Sequence, residues 1–86
     1  MYIEGRKYII HNEIYVNFMD YVATIKPHFN KDNVSWNIVF SNGYDKESKP
    51  INCTDLENAF NLIEQYSKFI KFDELLNELE KNKLIK

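Results

Sequence analysis

The feature that most constrains the fold of this chain is a pair of alternating runs separated by four polar residues. Residues 21–29 read YVATIKPHF and residues 34–41 read VSWNIVFS, with NKDN between them. Because successive side chains of a β-strand point to opposite faces of a sheet, a period of two predicts two strands. The short polar segment between the runs predicts that they form an antiparallel hairpin.

The length of the loop sets the register of this hairpin. If residues 30–33 form the loop, Phe29 faces Val34, Pro27 faces Trp36, and the pairing continues outward. All the large apolar side chains of the two runs then lie on one face of the sheet. A slip of one residue would move one strand's apolar set to the other face. The sequence therefore predicts a core hairpin at 21–29/34–41.

The preceding segment allows two interpretations. In the first, KYIIH and IYVNF form a hairpin around Asn12 and Glu13. In the second, residues 13–25 form one helix capped by Asn12, because Ile14, Phe18, Tyr21, Val22 and Ile25 have helical spacing. The β-branched and aromatic content of the segment, and Pro27 just beyond it, favour strands.

The segment that follows the core hairpin begins with a strong turn signal. SNGY at 41–44 contains Asn-Gly, which favours a two-residue hairpin turn. A tight turn would set the charged residues of DKESKP opposite the large apolar residues of the preceding strand. The sequence therefore predicts an exposed loop or frayed edge from Tyr44 to Pro50, with Pro50 compatible with a sheet edge.

Two helices are predicted after this loop. TDLE at 54–57 matches a capping box, with Thr54 as the cap and Glu57 reaching back, and predicts a helix over 55–70. Its one apolar face would lie on the sheet. The helical phase breaks near Lys71, and a second short helix over 73–82, with Asp73 as its cap, carries a new apolar stripe of Phe72, Leu75, Leu76 and Leu79.

These elements predict one small α+β domain spanning residues 1–86. Its sheet would be an antiparallel β-meander of three to five strands packed against both helices. The chain is 44% hydrophobic and 15% aromatic, which is enough apolar material for one modest core.

Charge and cysteine content narrow the function classes. Eleven basic and 13 acidic residues give a net charge of -2, without the clustered Lys and Arg that nucleic-acid binding needs. A lone cysteine, Cys53, is not the even disulfide framework of a small secreted domain. No apolar run reaches the length of a membrane span. We therefore expect a cytoplasmic protein with no membrane association. The richness in Asn, Lys, Ile, Tyr and Phe, which AT-rich codons encode, favours a bacterial or phage source.

No motif for catalysis, a metal or a cofactor is present in the sequence. His11, His28 and Cys53 lack ligand spacing, and the two glycines, Gly5 and Gly43, form no phosphate-binding loop. Cys53 directly precedes the predicted helix cap, where a helix N-terminus can lower a thiol pKa. The alternative for this cysteine is a small packing residue. We expect no enzymatic activity, no cofactor and no metal.

Protein binding is the function that remains. We expect a non-catalytic regulator or inhibitor of a larger protein, for example a phage or mobile-element accessory protein that inhibits a host defence enzyme. The candidate binding residues are Tyr44, Asp45, Lys46, Glu47 and Lys49 in the loop, and Phe72, Leu75, Leu76 and Leu79 in the second helix. The loop combines an exposed aromatic with charges, which is typical of binding hot spots.

Two alternatives stay open. The leucine stripe of the second helix could dock on the sheet, or it could meet another chain, including a second copy in a homodimer. A single-stranded nucleic-acid-binding module would use the sheet face, stacking bases on Tyr21, Phe29, Trp36 and Phe40 if no helix covered them.

Overall fold

The computed structural model describes residues 7–10 and 13–82, and the side chains from residue 13 onward. The strands and helices follow one another along the chain as β1 (Lys7–Ile10), β2 (Glu13–Asn17), β3 (Val22–Phe29), β4 (Val34–Ser41), β5 (Ile51–Cys53), α1 (Leu56–Tyr66) and α2 (Phe72–Lys81). The strands form one antiparallel sheet whose spatial order matches the chain order. The predicted α+β meander with two C-terminal helices is confirmed.

The predicted register of the core hairpin is also confirmed. Phe29 pairs with Val34, Pro27 with Trp36, and the pairing continues without a break to Val22 and Ser41. Trp36 is partly buried and packs against the core. It therefore contributes to the apolar face, as expected for an inner strand.

Residues 13–25 form strands, so the helical alternative for this segment is wrong. β2 pairs with β3 through Ile14↔Ile25 and Val16↔Ala23, and all four of these side chains are buried. The β-branched residues prevail because they pack well on a pleated, half-buried surface. The predicted turn at Asn12 and Glu13 is wrong for Glu13, which begins β2 and pairs with Ile10, and Asn12 lies outside the described residues.

The core lies between one face of the sheet and the two helices. α1 packs on β4 and β5. The Tyr21 ring lies 6.0 Å from that of Phe40 and 6.1 Å from that of Phe72, so it joins the sheet to α2. The buried apolar side chains are Ile14, Val16, Tyr21, Ala23, Ile25, Ile38, Phe40, Ile51, Cys53, Ala59, Ile63, Tyr66, Phe72, Leu75 and Leu79.

The first helix is shorter than predicted, and its cap is one residue later. The N-cap is Asp55 rather than Thr54, and its carboxylate accepts a hydrogen bond from Asn58 N at 2.8 Å. Asp and Thr are both good N-cap residues, so the sequence did not decide between neighbours. The helix ends at Tyr66 rather than at residue 70, and Phe69 N then donates to the Tyr66 carbonyl.

The second helix begins with help from a distant turn. Its N-cap position is Lys71, so the expected cap at Asp73 is wrong, and Asp73 lies inside the first turn. The backbone N–H of Phe72 instead donates to Asp20 Oδ2 at 2.8 Å. Asp20 therefore satisfies one of the unpaired amide groups at the start of α2 and places its charge beside the positive end of the helix dipole.

The linker between the helices is held against the sheet. The Tyr21 hydroxyl donates to the Phe69 carbonyl at 2.8 Å, and Asn82 Nδ2 donates to the Tyr66 hydroxyl at 2.7 Å. These bonds attach α2 to both the sheet and α1. Neither described helix has the length and apolar content of a membrane-spanning helix.

We expect Asp20→Asn to lower the free energy of unfolding by about 0.3–1 kcal/mol, the usual value of a charge beside a helix terminus. The amide is a weaker acceptor than the carboxylate and loses the favourable interaction with the helix dipole. Urea unfolding measures the change. The matched control is Asp32→Asn in the exposed turn before β4, whose side chain forms no hydrogen bond within the described residues. Equal effects of the two substitutions would contradict the capping role.

Candidate protein-binding surface

The loop between β4 and β5 is a defined structure rather than a frayed edge. Ser41 and Glu47 form a β-bridge, Asn42 N donates to the Lys46 carbonyl at 3.1 Å, and Ser48 N donates to the Phe40 carbonyl at 2.7 Å. The loop therefore leaves β4 and returns beside it with its backbone paired.

Ser48 fixes the base of this loop. It is the buried polar residue of the described chain, only 5% exposed, and its hydroxyl Oγ accepts from Phe40 N at 3.0 Å. The same hydroxyl donates to the Lys49 carbonyl at 3.1 Å. A buried polar group is stable only when it is hydrogen-bonded, and here both roles of the hydroxyl are used.

Asn42 organises the tip of the loop. Its Oδ1 accepts from Tyr44 N at 2.9 Å and from Lys46 N at 3.2 Å, and its Nδ2 donates to Asp45 Oδ1 at 3.2 Å. This is the side-chain mimicry of a turn that asparagine favours. Gly43 takes a φ of 84°, a conformation that a glycine adopts without strain.

The result is a Tyr44 side chain displayed on a rigid support. Tyr44 is 93% exposed, the most exposed large hydrophobic residue among those described. Its backbone N–H is bonded to Asn42, so the exposure does not come from a disordered segment. An aromatic side chain held in this way loses little conformational freedom when it is buried by a partner.

Two grooves flank Tyr44. The large groove, about 620 Å³, lies between Tyr44 and the first turn of α2, and its lining includes Asp20, Asp45 and Asp73. The small groove, about 390 Å³, lies between Tyr44 and the β2–β3 turn, where Met19 is 84% exposed.

A further exposed apolar side chain, Ile70, lies near Met19. Met19 also lines a cleft with Ile70, which is 60% exposed in the linker between the helices. We call Tyr44, Met19, Ile70 and the two grooves the Tyr44 surface. Contiguous exposed apolar side chains at one place are typical of an interaction site, whereas scattered ones are ordinary.

The predicted site residues divide into two groups. Tyr44, Asp45 and Lys46 line the large groove, while Glu47 and Lys49 are exposed beside it. The apolar stripe of the second helix is different, because Phe72, Leu75 and Leu79 are buried and Leu76 is partly buried against the core. Of the two alternatives for that stripe, docking on the sheet is the one that the structure shows, so these side chains are not an exposed surface for a second copy.

Sequence reasoning missed Met19, Asp20 and Ile70 as members of the surface. Met19 and Asp20 lie between two predicted strands, and Ile70 lies within the helix predicted over 55–70. The signal in the sequence was the break in helical phase near Lys71, because an apolar residue at such a break has no packing position assured.

The opposite faces of the sheet differ in character. Tyr21 and Phe40 are buried under the helices, and Trp36 is partly covered, so the face that would stack bases is not open. On the open face, Asn52 Nδ2 donates to Ser35 Oγ at 2.9 Å and Asn37 Oδ1 at 2.8 Å. This open face is mainly polar, and Tyr15, which pairs with Thr24, is the aromatic side chain of β2 on it.

Cys53 lies on the core face of β5, paired with Trp36. Burial raises the pKa of its thiol, and the nearby Asp55 carboxylate raises the pKa further. The idea that the helix N-terminus activates this thiol is therefore wrong, because desolvation and a like charge both disfavour the thiolate. Within residues 13–82 no three His, Cys, Asp or Glu side chains converge as metal ligands. His28 is exposed on the open face, and His11 lies outside the described residues.

Comparison with protein-family models, with curated proteins and with solved structures gives no match.

We expect iodoacetamide to alkylate Cys53 much more slowly in the folded chain than in urea, because the thiol is buried and its pKa is raised. The raised pKa of the thiol makes stability depend on pH. The thiol of the unfolded chain ionises at about pH 8.5, so the stability that this pKa difference contributes is fully present below that pH. The contribution is lost as the pH rises through the higher pKa of the folded thiol. The control is Cys53→Ala, which has no thiol, so its free energy of unfolding should fall less as the pH is raised. Folded-state alkylation as fast as in urea would contradict the assignment.

We expect Asn42→Ala to loosen the tip of the loop, because three hydrogen bonds of the Asn42 side chain are lost. The amides of Tyr44 and Lys46 should exchange faster with deuterated solvent, while the free energy of unfolding falls by about 1–2 kcal/mol. The matched control is Asn33→Ala in the other hairpin turn, where the side chain forms no hydrogen bond within the described residues. Unchanged exchange at Tyr44 would show that Asn42 does not organise the tip.

Proposed function

We propose that this chain is a small non-catalytic protein-binding module that regulates or inhibits a larger protein through the Tyr44 surface. The observation that carries the proposal is the 93% exposure of Tyr44 on a loop in which the N–H groups of Gly43, Tyr44 and Lys46 are hydrogen-bonded. Leaving a large aromatic ring in water has no benefit for folding. A partner that buries it gains apolar area and an aromatic anchor.

The neighbours of Tyr44 support the same function. Met19 and Ile70 extend the apolar area, and a methionine adapts its shape to the surface of a partner. Charged residues such as Asp45 and Lys46 border the ring, as in interfaces that have an apolar centre and a polar rim. The proposed setting is the cytoplasm of a bacterium, with the chain encoded by a phage or another mobile element and directed at a host enzyme, for example one that acts in defence.

A single-stranded nucleic-acid-binding function is the weaker candidate. Tyr21 and Phe40, which would provide stacking positions on the sheet, are buried beneath the helices. Among the four candidate stacking residues, Phe29 alone is strongly exposed, at 74%. One ring at the end of a hairpin does not make a stacking platform of the kind such proteins use.

The test is capture of a partner from a host-cell extract by the tagged full-length chain and by two variants. We expect Tyr44→Ala to reduce capture of the specific partner at least about tenfold, the effect of removing a hot-spot aromatic. The matched control, Phe29→Ala, removes an exposed aromatic at the far end of the β3–β4 hairpin and should leave capture unchanged.

The regulatory part of the proposal is tested with the captured partner in purified form. Its activity is measured with increasing amounts of the wild-type chain, Tyr44→Ala and Phe29→Ala. We expect the wild-type chain and Phe29→Ala to change the activity, and Tyr44→Ala to have little effect. A partner captured equally well by Tyr44→Ala would refute the assigned surface, and a partner whose activity does not respond would refute the regulatory role.

A further inference from the structure

We infer that the segment that docks on the Tyr44 surface is basic, and that it places an arginine or lysine side chain in the large groove against the Tyr44 ring. This inference rests on the proposed function and adds the chemistry of the partner. It follows from the apolar exposure of the surface together with the charges that surround it.

The apolar part of the surface defines where a partner sits. Tyr44, Met19 and Ile70 are all more than half exposed and are linked through the clefts that Met19 lines. A docking segment must therefore bring apolar side chains of its own to bury these three.

The charge around the large groove selects the occupant. Four carboxylates line it, from Asp20, Asp45, Asp73 and Glu74, against two lysines. Four carboxylates against two lysines leave the lining of the groove with an excess of two negative charges. An acidic segment would meet repulsion here, whereas a basic one meets attraction.

The two helices extend the same field. From residue 54 to residue 86 the chain carries seven acidic side chains and five lysines. Six of the seven acidic side chains are exposed, and the other, Glu78, is partly exposed, with Glu78 Oε2 at 4.0 Å from Lys81 Nζ. The helical segment therefore adds a small excess of negative charge, which attracts a basic partner.

The geometry of the tip favours an arginine or lysine over a diffuse positive charge. The Tyr44 ring is open to solvent and borders the carboxylate-lined groove. A cation lying over an aromatic face is attracted by the electrons of the ring, and a guanidinium group also stacks on it. The same side chain then reaches Asp45 or Asp73 with its donors.

The experiment titrates the ¹⁵N-labelled full-length chain with two synthetic peptides of equal length. Both have a central tryptophan and leucines, and they differ only in carrying arginines or glutamates at the flanking positions. We expect the arginine peptide to shift the amide signals of residues 18–20, 42–46 and 70–74, and the glutamate peptide to shift none of them.

Variants locate the contribution of each group. Tyr44→Ala should weaken binding of the arginine peptide at least about tenfold. The double variant Asp73→Asn/Glu74→Gln should weaken it about two- to fivefold. The matched control, Glu57→Gln/Glu64→Gln, removes the same charge from α1 away from the groove and should change the affinity less.

The opposing outcomes separate this inference from the proposed function. Equal binding of the glutamate peptide, absence of binding by the arginine peptide, or shifts confined to α1 would overturn the basic partner. Capture of a host protein that still depends on Tyr44 would then leave the proposed function standing. A concentration-dependent dimer in sedimentation that Tyr44→Ala converts to monomer would also overturn it, because a second copy would then be the occupant.

Discussion

The pairing of β3 with β4 is the constraint on which the rest of the structure depends. Its register places Ile25, Ile38 and Phe40 on one face, and each of these is almost fully buried. A sheet with one such face must be covered, and within the described residues the long amphipathic helices are the two that follow it. The position of the helices is therefore a consequence of the strand register, and so is the polar character of the opposite face.

The fold could be predicted where a pattern repeats along many residues. The alternation of residues 21–29 and 34–41 is long enough to exclude other registers, and both apolar helical stripes extend over several turns. β5 was not located in the sequence because Ile51–Cys53 is too short to show a period. The charged loop before it also gave no sign that the chain comes back to pair with β4. Ser48 makes that return possible, since it pairs with β4 several residues away from the Asn-Gly turn.

The candidate site was predictable only in part, for a physical reason. Tyr44 could be found from sequence because an aromatic residue between a turn signal and a charged run has no partner nearby in the chain. Met19 could not, because its place in the surface depends on where two separate turns meet in space, and the phase break near Lys71 indicated only that Ile70 has no assured packing position. Asp20 illustrates the same limit, because its bond to Phe72 N joins positions that are 52 residues apart. Local signals placed the first cap within one residue, at Thr54 instead of Asp55, and could not show a cap supplied by a distant turn.

The way in which neighbouring backbone and side chains hold Tyr44 has a consequence for how such a chain can evolve. The loop is stabilised by Ser41, Asn42 and Ser48, whereas the Tyr44 ring itself is 93% exposed. Residue 44 is thus free to change without a loss of stability, while the residues that hold it are not. Under the proposed function, single substitutions at this position would alter which molecule is recognised, while the bonds that hold the loop remain. Such an arrangement suits a chain whose target also changes over generations.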